Sequence, residues 1–208
     1  MDTRGRFARL LLLALPAWTH AQGLDQKTER KYELGGLITY SRLRGIGSTD
    51  SGTGTEVGGF GGRFGYRLFR HLDLDTELNF LPGNSATSGN HVQGFVGAKA
   101  GMRWSKGGVF LKVRPGFIRF SRDPFGVGKP GTAFLSHERA ASTEPAVDFG
   151  GVVEYYTSRG FVLRFDLGYD LVYYARRDVR SSPTLPSFQA GGFTTHNWQA
   201  SVGVTFRF

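Results

Sequence analysis

The 208-residue chain contains no cysteine, which excludes a disulfide framework, a thiolate metal site and an anchor built on an amino-terminal lipidated cysteine. Long hydrophobic runs are also missing. The apolar stretch Leu10 to Ala17 is far shorter than the roughly 20 residues that a membrane-crossing helix needs. Acidic residues are in deficit, 17 against 26 lysines and arginines, a formal charge of +9. That excess does not mark a nucleic-acid binder, because basic residues alternate with acids along the same segments instead of forming a stripe or run. What is present in quantity is glycine, 31 residues, and aromatic side chains at 14%, a composition suited to many strands and turns.

The amino terminus reads as an export signal. Arg4, Arg6 and Arg9 precede the apolar run, and Thr19, His20 and Ala21 supply a small-residue cleavage pattern. Residues 1–21 are therefore expected to be a cleaved signal peptide, 22–31 a short periplasmic segment and 32–208 one domain. Removing the leader takes away three arginines and one acid and leaves +7.

Polarity in the remainder has a period of two. From Asn197 to Phe208, Trp198, Ala200, Val202, Val204, Phe206 and Phe208 share one face, and Asn197, Gln199, Ser201, Gly203, Thr205 and Arg207 share the other. Phe161 to Tyr174 repeats the pattern, with Phe161, Leu163, Phe165, Leu167, Tyr169, Leu171 and Tyr173 opposite a face that bears Arg164, Asp166 and Asp170. A helix would scatter those charges around its circumference; a strand gathers them on one side. Eight such segments are expected: Tyr32–Leu43, Thr55–Leu68, Leu72–Leu81, His91–Trp104, Val109–Ser121, Ala146–Tyr156, Phe161–Tyr174 and Asn197–Phe208. Pro115 predicts a bulge in the fifth.

Their connections alternate. Arg44–Gly54, Pro82–Asn90, Arg122–Pro145 and Ala175–His196 are long, whereas those at Arg70, at Ser105–Gly108 and at Thr157–Gly160 are tight. Outer-membrane barrels have short periplasmic turns and long external loops. The expected fold is thus all-β, a closed antiparallel up-and-down eight-stranded transmembrane β-barrel in the outer membrane of a diderm bacterium. A soluble carrier barrel has the same alternation with its apolar face inward, but eight such aromatic faces would overfill an interior that holds one small ligand.

With the apolar faces toward lipid, the inward set is Glu33, Arg63, Arg67, Asp73, Asp75, Glu77, Lys99, Arg103, Lys112, Arg114, Asp148, Glu154, Arg164, Asp166, Asp170 and Arg207. Acids and bases are equal in number there, as a buried and internally paired lumen requires. Equal distance from the tight turns places Arg67 opposite Asp73, Arg63 opposite Glu77 and Glu154 opposite Arg164, while closure brings Arg207 to Glu33. Lys99, Arg103, Lys112 and Arg114 lie side by side and need acids from the third or sixth strand or from across the lumen. Trp104, Tyr155, Tyr173 and Trp198 fall near stripe ends, where a membrane-boundary aromatic girdle belongs.

On these residues the chain resembles the small eight-stranded outer-membrane barrel superfamily, similar to the transmembrane part of outer membrane protein A and to outer membrane protein X. The resemblance implies that Val202, Val204, Phe206 and Phe208 act as a signal for the barrel-assembly machinery. The chain stops at Phe208, so the peptidoglycan-binding domain of the larger relatives is not expected.

Some such barrels modify lipopolysaccharide enzymatically. His71, His91, His137 and His196 are the histidines after the leader, and Ser136-His137-Glu138 is the one tripeptide that brings nucleophile, base and acid together, although neighbours on a loop do not make a triad. Asp73, Asp75 and Glu77 share a face but have cationic partners, which argues against a metal, and Gly58-Gly59 and Gly61-Gly62 lack the helix and lysine of a phosphate loop. No catalytic residue, cofactor or metal is assigned. Arg176, Arg177 and Arg180 open the last external loop and are expected to meet lipopolysaccharide phosphates. The expected function is non-enzymatic: a closed lumen with external loops for surface stability, adhesion or ligand contact. A narrow pore and a lipid-A-modifying enzyme are the alternatives.

Overall fold

The computed structural model describes residues 30–43, 55–83, 89–121, 141–158, 160–175, 177–179, 188–190 and 192–208. They form β1 (Tyr32–Leu43), β2 (Thr55–Phe69), β3 (Leu72–Leu81), β4 (His91–Trp104), β5 (Gly107–Phe120), β6 (Ser142–Tyr156), β7 (Phe161–Tyr174), β8 (Arg177–Val179), β9 (Phe188–Ala190) and β10 (Phe193–Arg207). A closed barrel runs β1-β10-β7-β6-β5-β4-β3-β2, and β8 and β9 pair apart from it as a two-stranded ribbon. All eight wall contacts are antiparallel. Closure leaves no wall strand with an unpaired edge.

Exposure decides which face is which. Leu111 is 73%, Ile38 67% and Leu167 66% exposed, whereas Asp75, Arg114 and Asp148 are at 0%. The apolar face therefore lies outside and the charged face inside, the reverse of a soluble carrier. β7 shows the cause locally: Arg164, Asp166 and Asp170 alternate with Phe165, Leu167 and Tyr169, so one strand supplies both surfaces.

Glycine permits the close approach of neighbouring walls. Gly150 and Gly168 stand opposite one another on β6 and β7. A Cβ on Gly150 would lie 1.9 Å from the Leu167 carbonyl oxygen, and one on Gly168 would lie 2.5 Å from Asp148 Oδ1. The second glycine thus makes room for a lumen carboxylate.

Several strand limits differ from the sequence reading. β5 begins at Gly107, so the turn before it is shorter; β6 begins at Ser142 and β10 at Phe193, which takes residues 142–145 and 193–196 out of the third and fourth loops. These ends keep alternating into the outer mouth, where inward residues pack on each other. The bulge expected at Pro115 is not there. Its register to β6 is continuous, Pro115 opposite Val147, and β4 keeps one register with β5 on both sides of it. An imide nitrogen withholds a single ladder bond without inserting a residue. The described register shift lies instead between Arg67 and Phe69, beside the Arg70–His71 turn.

Candidate functional site

Inward side chains converge, so an arginine on one strand reaches carboxylates on several others. Arg114 of β5 donates through Nη1 to Asp75 Oδ2 (2.8 Å) and Glu77 Oε2 (2.9 Å) on β3, and through Nε to Asp148 Oδ2 (2.7 Å) on β6. Arg164 of β7 grips Asp75 with two parallel bonds of 2.7 and 2.9 Å and also donates to Asp166 at 2.7 Å. Arg63 of β2 joins Glu77 (2.6 Å) to Asp166 (2.7 Å). Lys112 lies 3.0 Å from both Asp148 and Asp166. Bidentate and charge-assisted contacts of this kind fix geometry as well as charge.

A second group of charges lies toward the short turns. Lys99 reaches Glu154 at 2.5 Å, Asp73 at 3.2 Å and Glu33 at 3.6 Å, and its ammonium sits 4.7 Å from the centre of the Phe110 ring. Arg207 bonds Glu33 at 2.7 Å and Glu154 at 2.6 Å, tying β10 to β1 and β6. Arg103 pairs with Asp73 and also caps the Arg70 carbonyl.

The four opposed pairs read from the turns have the anticipated backbone register: Arg67 with Asp73, Arg63 with Glu77, Glu154 with Arg164, and Glu33 with Arg207. Side-chain pairing follows it for Arg63–Glu77 and Arg207–Glu33. It does not for Glu154, whose carboxylate is held by Lys99 and Arg207 while Arg164 crosses to Asp75. Arg164 spans the lumen, whereas Arg63, Arg207 and Arg114 each hold an acid on the adjacent strand. Asp170 is a further correction. It is fully buried, yet neither carboxylate oxygen has a hydrogen-bond partner; it stands opposite a like charge, Asp148, and Lys112 and Arg114 are paired with other carboxylates.

Above the ion-pair network the lumen carries an apolar cluster that the sequence reading missed, with buried Glu144 opposite Ile118 and accepting from the Ser142 hydroxyl beside it. Phe95, Ile118, Phe120, Ala146, Val172 and Tyr174 pack together near the outer mouth, with Leu43 and Phe193 against them. Two polar side chains cross between layers, Gln93 of β4 donating to Gln199 of β10 at 3.0 Å, and Gln199 to Glu77 at 3.2 Å. The available signal was the inward parity of Val172 and Tyr174, two and four residues beyond Asp170 on the same face.

The histidines are dispersed. His71 Nδ1 lies 3.1 Å from the Gly101 carbonyl oxygen in the tight β2–β3 turn, and buried His91 meets the Phe120 ring edge-on at 4.9 Å. His196 points outward and bonds the Tyr169 hydroxyl at 2.8 Å. Ser136, His137, Glu138, Arg176 and Arg180 lie outside the described residues, as does residues 1–21, the expected leader; Arg177 begins β8. Asp73, Asp75 and Glu77 are occupied by lysine and arginine, not arranged around a free centre. Trp104, Tyr155, Tyr173 and Trp198 all face outward, 43–59% exposed.

A family model for the outer membrane protein beta-barrel domain matches residues 7–206. The chain belongs to that family. The outer-membrane barrel also resembles solved structures at low identity, which speaks for the fold alone. Neisserial surface protein A is 13% identical with a TM-score of 0.56, covering 85% of this chain and 97% of that one. Outer membrane protein H of P. aeruginosa is 15% identical with a TM-score of 0.51, covering 86% and 99%. No curated relative matches the sequence.

Proposed function

We propose that this outer-membrane barrel is a closed, non-enzymatic surface protein, exported by a cleaved leader to the outer membrane of a diderm bacterium, whose rigid wall holds external loops for surface stability, adhesion or ligand contact. The observation that carries the reading is the cross-lumen network: Arg114 and Arg164 both reach Asp75 from other walls, with side chains no more than 1% exposed. Eight strands enclose little more than their own side chains, and here those side chains meet in the middle. The apolar layer above adds a second closure. A pore would need a water path through both layers. An enzyme would need a nucleophile beside a base, and among the described residues His196, outward at the rim, is engaged by the Tyr169 hydroxyl.

Planar-bilayer conductance of the refolded protein tests this, using material whose gel mobility shifts on heating so that a folded barrel is measured. The expected result is silence; stable, reproducible channels would move the function to permeation.

Lipopolysaccharide is the proposed lipid partner of loop residues Arg176, Arg177 and Arg180, and the barrel-assembly machinery the partner of Val202, Val204, Phe206 and Phe208. These last four share the lipid face. Phe208 also closes the wall, since it exchanges backbone bonds of 3.1 and 3.0 Å with Tyr32 and stacks on its ring at 5.8 Å. Deleting Phe208 is expected to lower the yield of assembled barrel in cells more than the yield of refolding in detergent. Equal loss in both would assign the residue to wall closure alone.

A further inference from the structure

We propose that the outer rim of β1, β10 and β7 binds the phosphate of an outer-leaflet lipid, through Arg42, Trp198 and the Tyr169–His196 pair. This site is on the outside wall and does not depend on whether the lumen conducts.

Height places it at the membrane boundary. Trp198 stands ten residues above Phe208. At about 3.3 Å per residue and a tilt near 40°, the strand climbs roughly 25 Å over that length, the height of the apolar band of such barrels. Below this level every outward residue of β10 is apolar: Ala200, Val202, Val204 and Phe206, followed by Phe208. At and above it the outward residues are Trp198, His196 and Thr194. The row is continuous across three strands, with Arg42 opposite Trp198 and Trp198 opposite Tyr169.

The row offers mainly hydrogen-bond donors. Trp198 is 59% exposed and carries a ring N–H with no acceptor role. The Tyr169 hydroxyl is 2.8 Å from His196 Nδ1, and the two aromatic rings of Tyr169 and Trp198 meet edge-on at 5.0 Å. If the tyrosine donates, the imidazole keeps its Nε2–H for another partner; if the imidazole donates, the hydroxyl hydrogen is released instead. Either way the pair presents a donor beside the indole N–H and the Arg42 guanidinium. The nearby acid, Glu56, stands opposite Arg42 on β2, and its carboxylate accepts a hydrogen bond from the Tyr40 hydroxyl. Aromatic rings, a guanidinium and surplus N–H groups at headgroup height match a lipid phosphate, which supplies acceptors and negative charge above an acyl chain.

The test uses the full barrel in mild detergent, checked for heat-shifted mobility, with lipid A carrying its phosphates and the same lipid dephosphorylated, and retention is read by native mass spectrometry. The wild type is expected to prefer the phosphorylated lipid roughly tenfold, the effect of one or two charge-assisted bonds. Combining Arg42→Gln, Trp198→Phe and His196→Gln should abolish the preference, while Glu56→Gln, which removes a competing acid, should keep or raise it. Trp198→Phe alone keeps a ring against Tyr169 and tests the N–H without a large packing change. Equal retention of the two lipids by the wild type would overturn the proposal, as would a preference that survives the triple change and falls only with Gln at Arg176, Arg177 and Arg180. Displacement of the lipid by millimolar inorganic phosphate would also count against it, since it would point to a free-anion site.

Discussion

Replacing Arg114 with methionine is expected to lower the unfolding free energy by about 3–5 kcal/mol, the range for breaking a buried ion pair from one side. Three carboxylates lose a partner at once: Asp75, Glu77 and Asp148, all with side chains at 0% exposure. Each keeps one other cation, namely Arg164 for Asp75, Arg63 for Glu77 and Lys112 for Asp148. The network therefore weakens without losing all charge balance, which sets the loss within that range and not above it. Arg114→Lys should recover only part, because one ammonium cannot replace a planar fork that serves two walls. Adding Glu77→Gln to Arg114→Met should give back some of the loss, since the cost resides in an uncompensated carboxylate. Urea unfolding followed by tryptophan fluorescence, with heat-shifted mobility as a second readout, measures all three. A loss below about 1 kcal/mol for Arg114→Met would mean that the network is not what holds the lumen.

The second large effect is expected at Gly150. Gly150→Ala puts a methyl 1.9 Å from the Leu167 carbonyl oxygen and 3.0 Å from the Gly168 Cα, both backbone atoms that no rotamer change can move. β6 and β7 must separate locally, at a cost of about 3 kcal/mol or more by comparison with overpacked cores. The adjacent Gly151 is the control. Its added Cβ would have its nearest neighbour, the Phe110 carbonyl oxygen, at 4.0 Å. Gly151→Ala should therefore refold like the wild type while Gly150→Ala loses most of its heat-shifted form. Similar yields from the two would show that the wall can relax around the inward methyl.

The parts of the site nearest to the turns were the most legible. Arg63 and Glu77 lie on strands joined by a tight turn, so counting equal distances outward from Arg70 gives both register and pairing. The same count places Glu154 opposite Arg164 but not their side chains, because the count is a statement about backbone. Where an arginine ends depends on the distance across the lumen, which follows from strand number, tilt and register together. Asp170 illustrates the limit: parity alone puts it inside with the other charges, and parity contains no information on which carboxylates the cations pair with.

What the sequence determined by itself was the alternation and its consequences: eight wall strands, loops of unequal length, the choice of residues for each face and the aromatic closing strand. Those are local properties, since a side chain's face depends on its position in a period of two and a turn depends on the residues within it. The tertiary structure alone decided that Arg114 and Arg164 converge on Asp75, that an apolar layer closes the outer mouth above them, and that His196 and Tyr169 meet Trp198 at the rim. These are contacts between residues from about 25 to nearly 90 positions apart, brought together by barrel curvature and strand stagger, and neither quantity is written in any one segment.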